Sequence, residues 1–170
     1  MAYLIDSDVL IEAKDRHYGF DFCPGFWDWL VQQQAAGNVF SVQRIYQELI
    51  TGDDDLVTWV QTQGAGFFLA PDAATTVSLA AISAVASRMT VNGQRYTAGA
   101  MADFLASGDY YLIAHAHAHR HTVVTHEIGS GPGHQASLKR LKIPDVCLAA
   151  GVDCLDPFRM LRQGGAVLII

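Results

Sequence analysis

Ala2-Tyr3-Leu4-Ile5-Asp6-Ser7-Asp8-Val9-Leu10-Ile11 sets an apolar run against an acidic, polar break and then resumes the apolar run. Ala2 to Ile5 reads as a short strand covered on both faces, because no polar residues alternate with the apolar ones. The acids that follow meet the free amides at the start of a helix, with Ser7 or Asp8 placed to cap it. A buried strand that ends in carboxylates and runs into a helix is the opening unit of a parallel α/β sheet.

The same alternation continues downstream. An aromatic connection from Tyr18 to Gly25 leads to a helix from about Phe26 to Ala36, stopped by Gly37. Strands are expected at Val39 to Val42, Phe67 to Leu69, Thr122 to Val124 and Asp153 to Leu155. Helices are expected over 43–50, 56–63, 73–89, 100–106, 108–119, 144–150 and 158–162. Asn92-Gly93 marks a polar turn, and Gly129 to Gly133 reads as a glycine-rich loop. Ala166 to Ile170 is either a terminal strand or an apolar tail for a partner. The pattern predicts a three-layer α/β fold with a mostly parallel central sheet flanked by helices, as one domain spanning residues 1–170.

Composition narrows the function classes. Among 170 residues, 17 acids against 11 Lys and Arg give a formal charge of −6, which argues against a protein held on nucleic acid by bulk charge. With 51% hydrophobic and only 16% charged residues, a packed core forms and global disorder is excluded. No apolar run approaches the ~18 residues that a bilayer crossing needs. The start of the chain lacks the basic and apolar segments of a signal peptide. Cys23, Cys147 and Cys154 are odd in number and form no C-x-x-C pair, so they read as reduced structural thiols. The expectation is a cytoplasmic domain without a membrane partner.

Ligands of an open parallel sheet gather at the carboxyl ends of its strands. Asp6 follows the first strand, Glu127 lies just beyond Thr122 to Val124, Asp109 opens the helix before that strand, and Glu48 sits on the helix after the second strand. Four acids from distant segments thus have a route to one cluster. Crowded carboxylates raise one another's pKa, and a divalent cation removes that cost. All-oxygen ligands suit Mg²⁺ or Mn²⁺, which can activate water against a phosphodiester and leave a 5′-phosphate and a 3′-hydroxyl. Read singly, Asp8 and Asp109 also fit helix caps, while Glu48 and Glu127 fit surface charges.

Leu4-Ile5-Asp6-Ser7-Asp8-Val9-Leu10-Ile11, Ile45-Tyr46-Gln47-Glu48-Leu49, Gly108-Asp109-Tyr110-Tyr111-Leu112-Ile113-Ala114 and Val123-Val124-Thr125-His126-Glu127 together resemble the motifs of the PIN domain, and in particular a prokaryotic PIN-like branch related to VapC toxins. The aromatic segment from Arg16 to Trp29 and Lys142-Ile143-Pro144-Asp145-Val146-Cys147 extend the resemblance over nearly the whole chain. Asp8 stands where many relatives carry Asn or Ser, and Glu127 replaces the usual Asp. The resemblance implies a metal-dependent endoribonuclease, often dimeric and often the toxin of a toxin–antitoxin pair. On that reading Asp6, Glu48, Asp109 and Glu127 hold Mg²⁺ or Mn²⁺, Asp8 joins them, and Thr125 helps position the metal or its water.

Basic residues crowd toward the end of the acidic chain. Lys139, Arg140, Lys142, Arg159 and Arg162, with Arg44 beside Glu48, are candidates for RNA phosphate contacts, or else form a solvated basic face. A rival signal is His115-Ala116-His117-Ala118-His119-Arg120-His121, whose i,i+4 pairs match a zinc spacing and to which His126 and His134 can add ligands. That run supports a zinc-dependent hydrolase as the alternative, although no H-E-x-x-H motif is present, alternate histidines on one helix do not share a face, and the ordinary reading is an exposed helix end entering the next strand. A catalytically silent PIN-like interaction protein is the other alternative. The glycine-rich loop lacks the Lys-Ser/Thr of a P-loop, and Phe26 with Trp29 at helical spacing reads as packing rather than base stacking.

Overall fold

Leu4, Ile5, Val123 and Val124 are wholly buried, and the reason is their place in the sheet. β1 (Tyr3–Ile5) lies at its centre, with β2 (Val39–Val42) on one side and β4 (Thr122–Val124) on the other; β3 (Phe68–Leu69) and β5 (Cys154–Leu155) form the edges. The order is β3-β2-β1-β4-β5 and every pairing is parallel. The computed structural model describes residues 1–91, 96–130 and 139–168. The expected Asn92-Gly93 turn, Gly131 to Gly133 of the glycine-rich loop, His134, and Ile169 and Ile170 lie outside the described residues.

Helices α1 (Ser7–Glu12) and α2 (Pro24–Ala35) join β1 to β2, and α3 (Gln43–Leu49) and α4 (Asp55–Phe67) join β2 to β3. The chain then reverses direction across the sheet. Helices α5 (Ala73–Val91), α6 (Ala98–Ala106) and α7 (Gly108–His119) carry it from β3 back to β4, and α8 (Ile143–Ala150) carries it on to β5. Right-handed crossovers put the first group on one face and the second group on the other. The packing agrees: α2 packs on α4 and β2, while α5, α7 and α8 pack on one another and α7 covers β2 and β4. This is the three-layer PIN-like architecture expected from the sequence. α9 (Pro157–Gln163) closes the chain, tied to the sheet by the Tyr3 hydroxyl donating to Gln163 at 2.7 Å.

Boundaries depart from the sequence reading for local reasons. Pro24 sits in the first turn of α2, where its missing amide costs nothing, so the helix starts ahead of Phe26. Phe67 closes α4 instead of opening β3. α1 ends in a π-turn over Ala13–His17, in which the Tyr18 amide reaches the Ala13 carbonyl at 2.6 Å. Ala166 to Leu168 form no strand. Most of the aromatic segment packs on the core, with Phe22 left exposed: Tyr18 stacks on Phe26 and Phe20 on Trp27, with ring centroids 4.4 and 4.0 Å apart. Burial of Phe26 alone is worth about 1.5–3 kcal/mol.

Because β1 leads to β2 in one direction and β4 leads to β5 in the other, the crevice at the carboxyl ends of β1 and β4 is the topological switch point. Ile5 is level with Val124, so the residues that leave these two strands, Asp6 and Thr125, emerge side by side. The Asp6 amide closes the pair by donating to the Val124 carbonyl at 2.9 Å.

Candidate functional site

Asp6 leaves β1 with extended backbone and accepts the Ser7 amide through Oδ1 at 2.7 Å. It, rather than Ser7 or Asp8, is the N-cap of α1, which corrects the sequence expectation. Capping fixes its rotamer and turns Oδ2 toward β4, where Thr125 Oγ1 lies at 3.2 Å. The same hydroxyl is 3.0 Å from Asp8 Oδ2. With one proton it serves one carboxylate at a time, while its lone pair accepts the Glu127 amide at 3.1 Å. Asp8 also accepts the His126 amide at 3.1 Å, so its carboxylate stitches the first turn of α1 to the end of β4.

Glu48 and Asp109 arrive from α3 and α7. The α7 N-terminus has no side-chain cap of its own, because Ser107 makes none. Glu48 Oε1 accepts the Gly108 amide at 2.7 Å instead and places a negative charge at the positive end of that helix. A Cβ on residue 108 would stand 2.7 Å from Glu48 Oε2 and 3.0 Å from Ile45 Cγ1, so glycine is what admits Glu48. Asp109 follows in the same turn and faces the others. Glu127 is held by the Ile143 amide on Oε2 at 2.8 Å and by Arg140 Nη2 on Oε1 at 2.6 Å.

These five acids share one field. Burial raises the Asp6 carboxyl well above the usual carboxylate range, and Asp8, Asp109 and Glu127 raise it further against the Ser7 amide. Asp109 is pushed up to about 6, first by burial and then by Glu127, with Glu48 and Asp8 adding to it and Arg140 opposing it. Asp6, Glu48, Asp109 and Glu127 are therefore neighbours, Asp8 is among them, and the Thr125 hydroxyl lies between Asp6 and Asp8. The donor set is all oxygen and strongly negative, which fits a hard divalent cation. Among the described residues no three His, Cys, Asp or Glu side chains are yet gathered around one point as a metal would need. The Arg140 guanidinium lies on Glu127 and 3.9 Å from Asp109 Oδ2.

The expected phosphate contacts divide. Arg140 faces the carboxylates. Lys142 Nζ donates to the Ile128 carbonyl at 2.8 Å, and Arg44 donates to the Ala106 carbonyl at 3.0 Å beside the Tyr111 ring, so both are tied to backbone. Lys139 is exposed, and Arg159 pairs with Asp156 at 3.3 Å. Arg162 is exposed near Tyr18, away from this cluster. What the sequence reading missed is Gly108, whose signal was a glycine at the first position of a helix, and the ion pair of the exposed Arg140 with Glu127, which no local pattern marks.

The histidine run is an exposed helix end only in part: His117 is exposed and His119 and His121 are half-buried. His115 is buried, and its ring lies 4.6 Å from that of His119 and 6.1 Å from that of His121. Thr75 Oγ1 donates to Asp72 Oδ1 at 2.8 Å, so it accepts from His115 Nδ1 at 2.9 Å. His119 Nε2 lies 2.9 Å from Asp72 Oδ2, His117 meets Ser78, and His121 Nδ1 accepts the Ala2 amide. Burial lowers His115 to about 4 and keeps it neutral. The His115, His117 and His121 nitrogens hold this segment to α5 and to the start of β1, while His119 Nε2 is buried without a hydrogen-bond partner among the described residues. The three cysteines are free, as expected. No described helix is long and apolar enough to cross a membrane.

Comparison with curated proteins and with solved structures gives no match. Residues 3–168 match the family described as a domain of unknown function, DUF4411, and the chain belongs to that family.

Proposed function

We propose that this chain is a Mg²⁺- or Mn²⁺-dependent endoribonuclease of the PIN-like type. The observation that carries the reading is the crowding of Asp6, Asp8, Glu48, Asp109 and Glu127 at the switch point, where burial and mutual repulsion hold Asp6 and Asp109 above their usual range. Crowded, partly buried carboxylates repel one another, and a bound cation would offset that cost. Asp6, Glu48 and Asp109 form the principal ligand set, Glu127 supports it, and Asp8 completes it. A bound cation would supply an activated water and charge for the leaving oxygen of a phosphodiester.

The chain's own groups do the rest. Thr125 orients Asp6 and Asp8 from one hydroxyl, and the backbone amides of Ser7, Gly108 and Ile143 hold Asp6, Glu48 and Glu127 in place. Arg140, which pairs with Glu127, would offer its exposed guanidinium to a phosphate of the substrate, with Lys139 beside it. The resemblance to VapC-related proteins supports an RNA substrate, a role as toxin with a cognate antitoxin, a homodimer and a cytoplasmic location.

The test is cleavage of a mixed cellular RNA pool with Mn²⁺ or Mg²⁺, comparing wild type with Asp6→Asn. Discrete products that need both the metal and Asp6 support the reading. Cleavage that survives Asp6→Asn in a clean preparation refutes the assignment of the site, and absence of cleavage by wild type leaves a silent PIN-like scaffold.

A further inference from the structure

A cavity of about 580 Å³ opens directly beside the carboxylates, and Thr125 and Glu127 belong to both. That volume is in the range of pockets that enclose a small ligand. Its wall is chemically two-sided. Pro144, Leu148 and Val152 provide an apolar surface, and Leu148 is 84% exposed, unusual for a leucine with nothing to cover it. Asp153 and Arg159 provide the polar side. Asp156 caps α9 and holds Arg159, so its oxygens are spent. The Asp153 backbone carbonyl is taken by Val123, but no hydrogen bond or ion pair engages its carboxylate among the described residues.

We propose that this cavity takes a guanine base of a single-stranded RNA next to the scissile phosphate, with Asp153 reading its edge. This rests on the nuclease reading for its place beside the chemistry, but the recognition itself does not require cleavage. A flat apolar wall accepts the face of any base. A carboxylate is acceptor-only, with two oxygens. Guanine alone presents two adjacent donors, N1–H and N2–H, that match it. Uracil flanks its single N–H with two carbonyls, and adenine and cytosine set a ring acceptor beside their amino group, which a carboxylate repels. Arg159 stands on the cavity's rim with a largely exposed guanidinium, placed to meet a flanking phosphate. The shared residues Thr125 and Glu127 make a base seated here continuous with a phosphate at the acids.

The experiment is calorimetric titration of the metal-free protein with GMP and with AMP, for wild type and Asp153→Asn, paired with end-mapping of cleaved single-stranded RNA in Mn²⁺. The proposal expects GMP to bind about tenfold or more tightly than AMP, the low end of what a bidentate contact to a base edge discriminates. Asp153→Asn should bring the two to near parity and, where cleavage occurs, relax the base preference at the mapped ends. Equal affinities, a preference that survives Asp153→Asn, or no binding of either nucleotide at millimolar concentration overturns it. Selective GMP binding without any cleavage retains the base site and removes the nuclease. Cleavage without guanine preference does the reverse.

Discussion

Asp109→Asn is the sharpest test of whether the acids converge, because it reads the cluster without reference to activity. The Asp109 carboxyl is raised from the usual 3.8 to about 6, with burial first among the causes. A raised acid favours the folded state only while protonated, so its contribution is fully present below 3.8 and is lost as pH rises through about 6. At about 1.36 kcal/mol per pH unit the full swing is about 3 kcal/mol, of which about 2 kcal/mol develops between about pH 7.5 and pH 4.5. His115 opposes it in the same window. Its folded value of about 4 against the usual 6.5 gives stability that is present above 6.5 and is lost as pH falls through about 4. The wild-type profile is thus a near cancellation and says little alone. The difference between wild type and Asp109→Asn removes the His115 contribution, which both proteins share. Urea melts of the metal-free proteins should show the variant gaining about 2 kcal/mol on wild type as pH goes from about 4.5 to about 7.5, or a relative shift in Tm of about 4–8 °C. Mn²⁺ at the higher pH should stabilise wild type more than the variant. A pH-independent difference would mean that Asp109 is not in a dry, like-charged site, and the cluster argument would fail with it.

Gly108→Ala should displace Glu48 from the α7 N-terminus. Titration should show Mn²⁺ affinity falling by about tenfold or more, and stability should change little because alanine returns about 1 kcal/mol of helix propensity. Unchanged metal affinity would remove Glu48 from the ligand set. Thr125→Val keeps the shape but strands the buried Glu127 amide and leaves two carboxylates without their shared donor, so urea unfolding should report a loss of about 1–3 kcal/mol; wild-type stability would refute that bonding scheme. Arg140→Gln removes the one guanidinium on Glu127. NMR titration should place Asp109 above its present value of about 6, and Mn²⁺ should bind more tightly once nothing competes for Glu127. Weaker Mn²⁺ binding would make Arg140 a partner of the metal site rather than its rival.

The sheet was legible because each central strand is an uninterrupted apolar run, and a parallel sheet buried on both faces leaves such runs no alternative. Asp6 and Glu127 were legible for the same reason: an acid directly beyond a buried strand has one edge to occupy. Glu48 and Asp109 needed the family motifs as well, since a helix has several faces and only the packing of α3 on α7 selects one. Arg140 and the histidine run show where local patterning stops. Exposure was the natural reading for both; it holds for Arg140 and His117 but fails for His115, and the partners that decide their contacts lie far away in sequence: Glu127 for Arg140 and Thr75 for His115. The cavity at Asp153 has no linear signature, because its walls come from the ends of β4 and β5 and from α8.

The central position of β1 also orders events in time. Its first neighbour, β2, is synthesised early, but its other neighbour, β4, lies more than a hundred residues downstream, as the pairing of Ile5 with Val124 records. A growing chain on the ribosome therefore carries Asp6 and Asp8 with no Thr125 to share a proton and no Glu127 beside them. Such long-range pairing makes closure of the sheet's middle a late and comparatively slow step. The acids begin to repel one another only when the sheet closes, so the cost of the site falls on the last stage of folding.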